Sequence, residues 1–437
     1  ALAAPGAAAS TPFTLCDAVR SADKGDVQEP LVLGRDGWIF RGTDLAPPYA
    51  VSDETVAALS RFSADLRSRG TTLAVLLLPP RGAVASDHVD VGDPLAASFD
   101  ATQVRADYDA AVAALGRSGA LVPNLLEAAL ADGSRDEYYF ARDHHWRPEG
   151  ARSAMRALAT LATASGLSFT PSAWNNVGNS SRTYPGSFAN RVERECGGAR
   201  PPPEAFTVFE SVPAGAPPGA LLGDWPAPEV VLAGASHTNK GGDDQFNVAG
   251  WLREALGTDV LNVGVDAGGY RTGLMDWIDT EAARKQPPRL LAWEISGRVP
   301  QDMAEFSRQA IPALYGTCAV PLAQGSVDAA QGRVPALQVP PGTPSGGSYL
   351  VLDIAEPSVD QFNVAFELEG QPLDVYVLRR ATRLPHSGRF FVEAPLSRAQ
   401  LLAVNLVLGA GDTTGVEARL CSLPPDEVGV ATLRNAP

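Results

Sequence analysis

Two short segments of this sequence carry the three residue types of a nucleophilic acyl-transfer site. Asp143 and His145 lie two positions apart, so in an extended or turn conformation their side chains share a side, and the carboxylate could hold one ring nitrogen of the histidine. The other ring nitrogen would then be left to act as a base. Ser236 follows an apolar run in a Gly-x-Ser turn, a position from which a serine can act as a nucleophile.

Each segment also has a plainer interpretation when it is taken alone. A serine after a buried strand is more often a cap or turn residue, and Thr238 stands where the α/β-hydrolase elbow has a glycine. A single D-x-H favours a loop carboxylate that caps a helix beside a partly buried His–Trp pair. Metal binding by Asp143, His144 and His145 is a third interpretation, which the lack of another histidine cluster disfavours. Taken together, the two segments favour acyl transfer.

The elements around these residues predict an α/β layer fold. Four short segments are almost wholly apolar, as strands of a parallel sheet with helices on both faces are; they are Thr72–Leu78, Val230–Ala233, Val260–Val263 and Arg289–Ile295. Five segments combine an apolar stripe with charges and predict helices; they are Glu54–Ser68, Thr102–Gly116, Pro148–Ala164, Phe246–Leu256 and Thr272–Lys285. Ligands on such sheets bind at the carboxyl ends of the strands, where we expect Ser236.

The sequence predicts two domains. An α/β domain is expected over residues 1–318, with a Pro-, Gly- and Asn-rich insertion near 174–228, and residues 319–348 are expected to form a linker. Six short β-like runs follow without a helical pattern, which predicts an all-β sandwich over residues 349–437. The runs are Tyr349–Ile354, Asn363–Leu368, Leu373–Leu378, Phe390–Glu393, Leu401–Leu408 and Val416–Cys421.

The composition excludes two classes of protein. The chain has 437 residues and a formal net charge of −15, which argues against a nucleic-acid partner because phosphate binding needs a concentrated basic surface. No run approaches the roughly 18 consecutive apolar residues that a membrane helix requires. With 45% hydrophobic residues, the chain can bury a core and is expected to be globular.

The four cysteines lack the spacing of a zinc site and allow three pairings. We prefer Cys16–Cys196 with Cys318–Cys421, because each bridge would then staple one half of the chain. Disulfides indicate an oxidising compartment such as a periplasm. The first twelve residues are small and uncharged, which predicts a mature chain whose signal peptide has been removed.

Several motifs resemble those of one enzyme family. They are Asp36-Gly37-Trp38-Ile39-Phe40 followed by Asp44-Leu45, the strand end Leu78-Pro79-Pro80-Arg81-Gly82, the D-x-H-W-x-P-x-G-A segment from Asp143, the Gly-x-Ser at Ser236, and Phe246-Asn247 ahead of Asp259-Val260-Leu261-Asn262. Over residues 16–318 the chain is similar to the alginate O-acetyltransferases of the periplasmic AlgX/AlgJ type. These have an SGNH-hydrolase-like (flavodoxin-like) domain with circularly permuted motifs, which accounts for a serine that follows the Asp–His pair.

The resemblance implies a periplasmic enzyme that transfers acetyl groups to a secreted polysaccharide, alginate, through an acetyl-serine. Ser236 would be the nucleophile, His145 the base and Asp143 its orienter. The sandwich resembles the carbohydrate-binding module that AlgX carries and AlgJ lacks, and the family has one disulfide per domain. The acetyl donor would be relayed by inner-membrane and periplasmic acetylation proteins. We expect a monomer that needs neither a metal nor another cofactor.

The chain departs from the family at one strand end. Members of the family have approximately the motif Trp-Glu-apolar-Pro-Glu-Arg-Tyr at this position, whereas this chain has Val299 in place of the tyrosine. If that hydroxyl serves an oxyanion hole, another donor must replace it. Arg81, Lys240 and Arg298 follow predicted strand ends and could pair with a polymer carboxylate, although a solvated surface cation is the plainer interpretation of each.

One turn of the sandwich is rich in arginine. Arg379, Arg380, Arg383 and Arg389 cluster around it and could bind an anionic polymer, or could be merely solvated. Two other functions also fit the whole set of residues: a carbohydrate acetylesterase with the same triad, and a non-catalytic polysaccharide-binding scaffold. Transferase and esterase differ in water exclusion and polymer positioning rather than in the triad, so the sequence separates them poorly.

Overall fold

The structure of the chain is a computed structural model that describes residues 13–21, 29–46, 49–131, 133, 135–198, 200–214, 227–295, 302–327, 332–355, 359, 361–379, 387–408 and 415–424. Helices within these residues are α1 (Asp17–Arg20), α2 (Gly42–Leu45), α3 (Asp53–Ser68), α4 (Arg81–Val84), α5 (Ala101–Gly116), α6 (Leu125–Ala131), α7 (Pro148–Ala164), α8 (Ser187–Cys196), α9 (Val248–Leu256), α10 (Gly269–Ile278), α11 (Glu281–Lys285) and α12 (Met303–Tyr315). None of these described helices is long and apolar enough to cross a membrane.

The strands of the first domain are β1 (Leu31–Leu33), β2 (Ile39–Arg41), β3 (Thr72–Leu77), β4 (Trp174–Tyr184), β5 (Glu204–Pro213), β6 (Val230–Ala233), β7 (Val260–Asn262) and β8 (Leu290–Ile295). Four of them form a parallel sheet in the order β3-β8-β6-β7. Because β6 and β8 are buried at every position, both faces of the sheet must be covered. The predicted parallel α/β fold is therefore confirmed, with the four predicted strands as its sheet.

Four of the five predicted helices occur as single helices, namely α3, α5, α7 and α9. The fifth, Thr272–Lys285, is divided into α10 and α11. The division has a local cause, since the Thr280 side chain accepts a hydrogen bond from Ala283 N at 3.1 Å and so begins a new helix. The sheet and its helices bring the loops after β3, β6, β7 and β8 to one edge.

The predicted insertion contains an antiparallel hairpin of β4 and β5, with α8 between the two strands. A disulfide joins Cys196, the last residue of α8, to Cys16, with a Cα separation of 5.6 Å. Apolar residues of α1, β1, β2 and α8 form a small separate core beneath this bridge. The N-terminal segment and the insertion therefore support each other.

The second domain is a sandwich of two antiparallel four-stranded sheets. Its strands are β9 (Ala323–Val327), β10 (Gly332–Gln338), β11 (Ser348–Ile354), β12 (Gln361–Leu368), β13 (Asp374–Arg379), β14 (Arg389–Glu393), β15 (Leu401–Leu408) and β16 (Val416–Ser422). One sheet has the order β10-β15-β12-β13 and the other β14-β11-β16-β9. All six predicted strands are present, and apolar side chains of both sheets share one core.

The prediction of a linker over residues 319–348 is corrected by β9 and β10. These strands pair with β16 and β15 and complete the two sheets. The prolines and glycines of this segment had indicated a linker instead of a strand. Pro335 nevertheless lies in β10, which is an edge strand, where a missing N–H is tolerated.

Contacts of three kinds join the two domains. Cys318, just after α12, forms a disulfide with Cys421 of β16. Arg61 of α3 pairs with the buried Glu393 of β14 at 2.5 Å, and Arg308 of α12 donates to the Glu393 carbonyl oxygen at 3.0 Å. Apolar residues of β11, β14 and β16 also belong to the core of the first domain. The two predicted disulfide pairings are thus both present.

Candidate active site

Ser236 lies in the turn that follows β6, at the carboxyl edge of the parallel sheet. Ala235 O accepts a hydrogen bond from Thr238 N at 3.1 Å, which closes a helical turn around the serine. The residue before this turn must be a glycine, because a Cβ on Gly234 would lie 2.6 Å from Glu294 Oε2. The Ser236 side chain is left half-buried at the sheet edge.

Residues 143–147 are held by a short hairpin in front of α7. Phe140 N donates to His145 O at 3.2 Å, and Arg147 N donates to Tyr138 O at 2.9 Å. Helix α7 begins directly after the segment with a proline at its first position, where the missing N–H is harmless. The loop position predicted for Asp143 and His145 is therefore the observed one.

A continuous chain of hydrogen bonds joins the two segments. His145 Nδ1 donates to Asp143 Oδ1 at 2.5 Å, and His145 Nε2 lies 2.8 Å from Ser236 Oγ. With Nδ1 as a donor, Nε2 of a neutral imidazole is the acceptor for the serine O–H. This is the geometry in which a histidine can remove the serine proton while a carboxylate stabilises the resulting imidazolium.

Asp143 is fixed at both oxygens. Oδ1 also accepts His145 N at 2.8 Å, and Oδ2 accepts Ser187 N at 2.5 Å. Burial opposes ionisation of Asp143, but the charge and hydrogen bonds of His145 outweigh it and hold the pKa of this carboxyl well below its usual range. The ligand-type atoms of Asp143, His144 and His145 lie within 4.8 Å of one another. His145 is hydrogen-bonded to Asp143, whereas His144 Nδ1 lies 3.1 Å from Ser187 Oγ and 3.7 Å from Asp143 Oδ1.

Two further histidines pack around His145. The ring of His144 lies 3.9 Å from that of His145, and His237 Nε2 donates to His144 O at 3.2 Å. Trp146 Nε1 donates to His237 O at 2.9 Å and so ties the Asp–His loop to the serine turn. Burial, followed by the neighbouring histidines, holds the pKa of His144 and of His237 well below the usual value. Both rings are therefore neutral at neutral pH.

A buried carboxyl group supports the serine turn from the sheet. Glu294 Oε2 accepts a hydrogen bond from Ala235 N at 2.8 Å. The other oxygen, Oε1, is buried and has no hydrogen-bond partner among the described residues. Burial raises the pKa of Glu294 to about 7. This residue therefore holds the backbone just before the serine, and its protonation changes near neutral pH.

A cavity of about 200 Å³ lies beside Ser236. Its walls include Arg41, Arg81, Tyr139 and His144. The cavity thus brings a hydroxyl, a neutral imidazole, a phenol and two guanidinium groups to the same space, which can hold a polar substrate next to the serine.

The structure corrects the prediction that Arg81 is a free cation at a strand end. Its side chain is 2% exposed, Nη1 donates to Ile39 O at 2.9 Å, and Nη2 donates to Phe140 O at 2.7 Å. Arg81 therefore supports the wall of the cavity. Lys240 does lie at the sheet edge, but its ammonium group faces Asp266 at 3.4 Å, so its charge is already paired.

Of the arginines at the turn of the sandwich, Arg389 is already paired with Asp353 at 2.6 Å. Five other positions from the sequence analysis have no described side chain. Arg298, Arg380 and Arg383 lie outside the described residues, as does Val299. Arg379 is the last residue of β13, and its side chain lies outside the described part of the chain. Their roles stay predictions.

Sequence reasoning missed three groups that shape the site: Ser187, Glu294 and Arg41. Ser187 belongs to the insertion and meets Asp143 only through the tertiary fold. Glu294 sits in an apolar strand, where a lone carboxyl among buried positions is the one signal that could have drawn attention to it. Arg41 carries no local signal of its proximity to Ser236.

Comparison with known proteins identifies relatives of this chain. The family described as "SGNH hydrolase-like domain, acetyltransferase AlgX" matches residues 31–297. The alginate biosynthesis protein AlgX of Pseudomonas aeruginosa is 30% identical over 353 residues, which cover 78% of this chain and 72% of the relative. A protein of the same organism named "Probable alginate O-acetylase AlgJ" is 25% identical over 63% of this chain and 72% of its own length.

A solved structure shares the architecture of both domains. The structure of Pseudomonas aeruginosa AlgX superposes with a TM-score of 0.81 at 25% identity, over 94% of this chain and 100% of that chain. This agreement covers the parallel sheet as well as the sandwich, and the family match covers more than half of the sequence. The chain therefore belongs to the AlgX family of SGNH hydrolase-like acetyltransferase domains.

Proposed function

We propose that this protein is a periplasmic O-acetyltransferase that transfers acetyl groups to alginate through an acetyl ester on Ser236. The observation that carries the proposal is the chain of hydrogen bonds through His145. Its Nε2 lies 2.8 Å from Ser236 Oγ, and its Nδ1 lies 2.5 Å from Asp143 Oδ1. The description of the family as an acetyltransferase and the names of its alginate-related members support the reaction and the polymer.

In the first step, Ser236 Oγ attacks the carbonyl carbon of the acetyl donor while His145 Nε2 takes the hydroxyl proton. The anionic Asp143 stabilises the imidazolium. The bond between the carbonyl carbon and the donor's leaving group then breaks, and the leaving group receives the proton from His145. An acetyl ester of Ser236 remains.

In the second step, a sugar hydroxyl replaces the donor. Its oxygen attacks the ester carbon while its proton passes to His145 Nε2. The bond to Ser236 Oγ breaks, the serine oxygen recovers a proton from His145, and the acetyl group leaves on the sugar. The free enzyme is restored without any net uptake or release of protons by the triad.

The negative charge of each tetrahedral intermediate needs hydrogen-bond donors. The backbone N–H groups of Ser236 and His237 donate to no acceptor in the described part of the chain. They belong to the turn that carries Ser236, and we assign them to the oxyanion. This assignment supplies donors without the tyrosine hydroxyl that Val299 replaces.

The second domain takes the role of a carbohydrate-binding module, with its beginning near residue 319. In this account it holds the polymer, the protein acts as a monomer, and partner acetylation proteins deliver the acetyl donor. The two disulfides support an oxidising compartment, which is the basis for assigning the periplasm.

The test is incubation of the full chain with p-nitrophenyl acetate and mannuronate oligomers, followed by mass spectrometry of the sugars. Acetylated oligomers are expected from the wild type and from the control Ser180→Ala, whose serine is exposed on β4, but not from Ser236→Ala. Release of free acetate without acetylated sugar would instead indicate an esterase, a reaction that the half-buried serine also permits. Absence of both products would indicate a binding scaffold.

A further inference from the structure

Arg41 differs from the other arginine that borders the cavity beside Ser236. Its side chain is 35% exposed, whereas that of Arg81 is 2% exposed. Arg41 lies at the end of β2, and its guanidinium group contacts the ring of Phe188 at 5.8 Å. Of the two guanidinium groups, Arg41 is thus the one that solvent or a substrate can reach.

The hydrogen-bonding capacity of Arg41 is not used up. Its Nε and Nη2 atoms donate to Asp44 Oδ1 at 3.2 and 2.8 Å, while Nη1 has no acceptor among the described residues. Arg81, by contrast, uses both Nη atoms on carbonyl groups and on Asp44. One charged donor group therefore remains at the wall of the cavity.

The local charge also favours an anion. Asp44 is the one carboxylate among the described residues that line the cavity, and it is shared by Arg41 and Arg81. The Glu29 carboxylate accepts a hydrogen bond from Thr43 N at 3.1 Å and does not itself line the cavity. The wall therefore carries two guanidinium charges against one carboxylate, in a chain whose net charge is −15.

We propose that Arg41 is a specificity-determining residue, whose Nη1 group pairs with the carboxylate of the sugar that receives the acetyl group. This inference rests on the proposed transfer reaction and adds the group that selects an acidic acceptor. A guanidinium–carboxylate pair is a charge-assisted hydrogen bond and is stronger than a bond between neutral groups. A uronate is therefore bound in front of the acetyl-serine in preference to a neutral sugar of the same shape.

The experiment compares two acceptors, a mannuronate hexamer and a β-1,4-linked mannose hexamer that lacks the carboxylates. With p-nitrophenyl acetate as donor, Arg41→Gln should raise KM for the mannuronate hexamer by about tenfold or more, because one charge-assisted bond is lost. KM for the mannose hexamer should change several-fold less. Arg41→Lys, which keeps the charge, should fall between the wild type and Arg41→Gln. Arg35→Gln, an exposed arginine of the same segment, is the matched control and should behave as the wild type.

Equal changes of KM for the two hexamers in Arg41→Gln would overturn the inference. If the variants do not fold, the wild type still decides, since equal KM values for the two hexamers would also overturn it. Failure of the wild type to acetylate either hexamer would contradict the proposed function itself, and the inference would fall with it.

Discussion

Asp143 determines which nitrogen of His145 can act as a base. Its Oδ1 atom accepts from both the backbone N and the Nδ1 of His145, and Oδ2 accepts from Ser187 N. A carboxylate with three donors has little freedom to rotate, so the imidazole is held as the tautomer with a bare Nε2 toward Ser236. The insertion helps to hold Asp143 in place, because Ser187 is the first residue of α8.

Asp143→Asn should preserve the shape of the site, but it should no longer favour the His145 tautomer that carries its proton on Nδ1. The amide can no longer accept at both positions, so Nδ1 of His145 is no longer the favoured site of the proton. We expect kcat for p-nitrophenyl acetate to fall about 10³- to 10⁴-fold, with an unchanged circular dichroism spectrum. Asp136→Asn, at an exposed aspartate, is the control. A loss smaller than tenfold in Asp143→Asn would argue against the triad.

Glu294 should make stability depend on pH in a definite direction. Burial raises its pKa from the usual 4.5 to about 7, so the folded protein holds this proton more tightly than the unfolded chain. The contribution of the protonated Glu294 to stability is therefore complete below pH 4.5 and is lost as the pH rises through 7. The free energy of unfolding should fall by roughly 3 kcal/mol at most over this range.

Glu294→Gln removes that titration and keeps an oxygen that can accept from Ala235 N. The free energy of unfolding of the variant relative to the wild type should therefore increase between about pH 5 and about pH 8. Urea unfolding of both proteins across this range measures the difference. Parallel pH curves for the two proteins would show that Glu294 does not titrate in this way.

The hydrogen-bonded Asp143, His145 and Ser236 could be singled out from the sequence because their signals are local. Asp143 and His145 are two positions apart shortly before a proline, and Ser236 lies in the turn just after an apolar strand. The residue types and their expected positions could therefore both be taken from short segments. Arg81 could not be predicted correctly, since its burial depends on carbonyl groups of Ile39 and Phe140 that only the tertiary fold brings to it.

Helix α7 packs unusually close to the backbone in front of it, and this contact positions the Asp–His loop. A Cβ on Gly150 would lie 2.2 Å from Tyr138 O. Gly150→Ala should therefore destabilise the protein by about 1 to 3 kcal/mol through forced separation of the two segments, as measured by urea unfolding.

Gly116→Ala is the matched helical control. Nothing lies within 4 Å of a Cβ at that position of α5, so the change in unfolding free energy should be about 1 kcal/mol or less in either direction. Equal effects of the two substitutions would contradict the close packing of α7.

Strands of the parallel sheet could be predicted because burial on both faces leaves an uninterrupted apolar run in the sequence. Strands β4, β9 and β10 lack that signal. β4 is exposed over most of its length and is rich in Asn and Ser, and Pro335 interrupts β10. Each is a strand because of its pairing partner, which lies elsewhere in the chain.

The joint between the two domains includes a buried ion pair. Glu393 is fully buried, and Arg61 is its charged partner at 2.5 Å. Arg61→Met should cost about 3 to 5 kcal/mol, because it leaves a buried carboxylate without a counter-charge. Urea unfolding of the full chain gives this value.

Replacing both partners provides the decisive comparison. The double variant Arg61→Met, Glu393→Met should recover most of the stability that Arg61→Met alone loses, since neither buried charge of the pair remains. Arg105→Met, which removes an exposed pair with Asp109 at 3.9 Å, should change the unfolding free energy by about 1 kcal/mol or less. Equal losses in the single and double variants would contradict the pairing.

The whole molecule joins the candidate active site at one sheet edge to a sandwich through a disulfide, an ion pair and a shared core. Such a joint fixes the sandwich relative to the candidate site, as the proposed transfer to a long polymer would require. The proposed reaction depends on one covalent intermediate, the acetyl ester of Ser236.

The direct test is to mix the full chain with p-nitrophenyl acetate, quench with acid, and map the peptides by mass spectrometry. We expect one acetyl group on the peptide that contains Ser236, and we expect it to disappear when a mannuronate oligomer is added before the quench. An unmodified Ser236 peptide during turnover, or full turnover by a folded Ser236→Ala variant, would contradict the acetyl-serine mechanism.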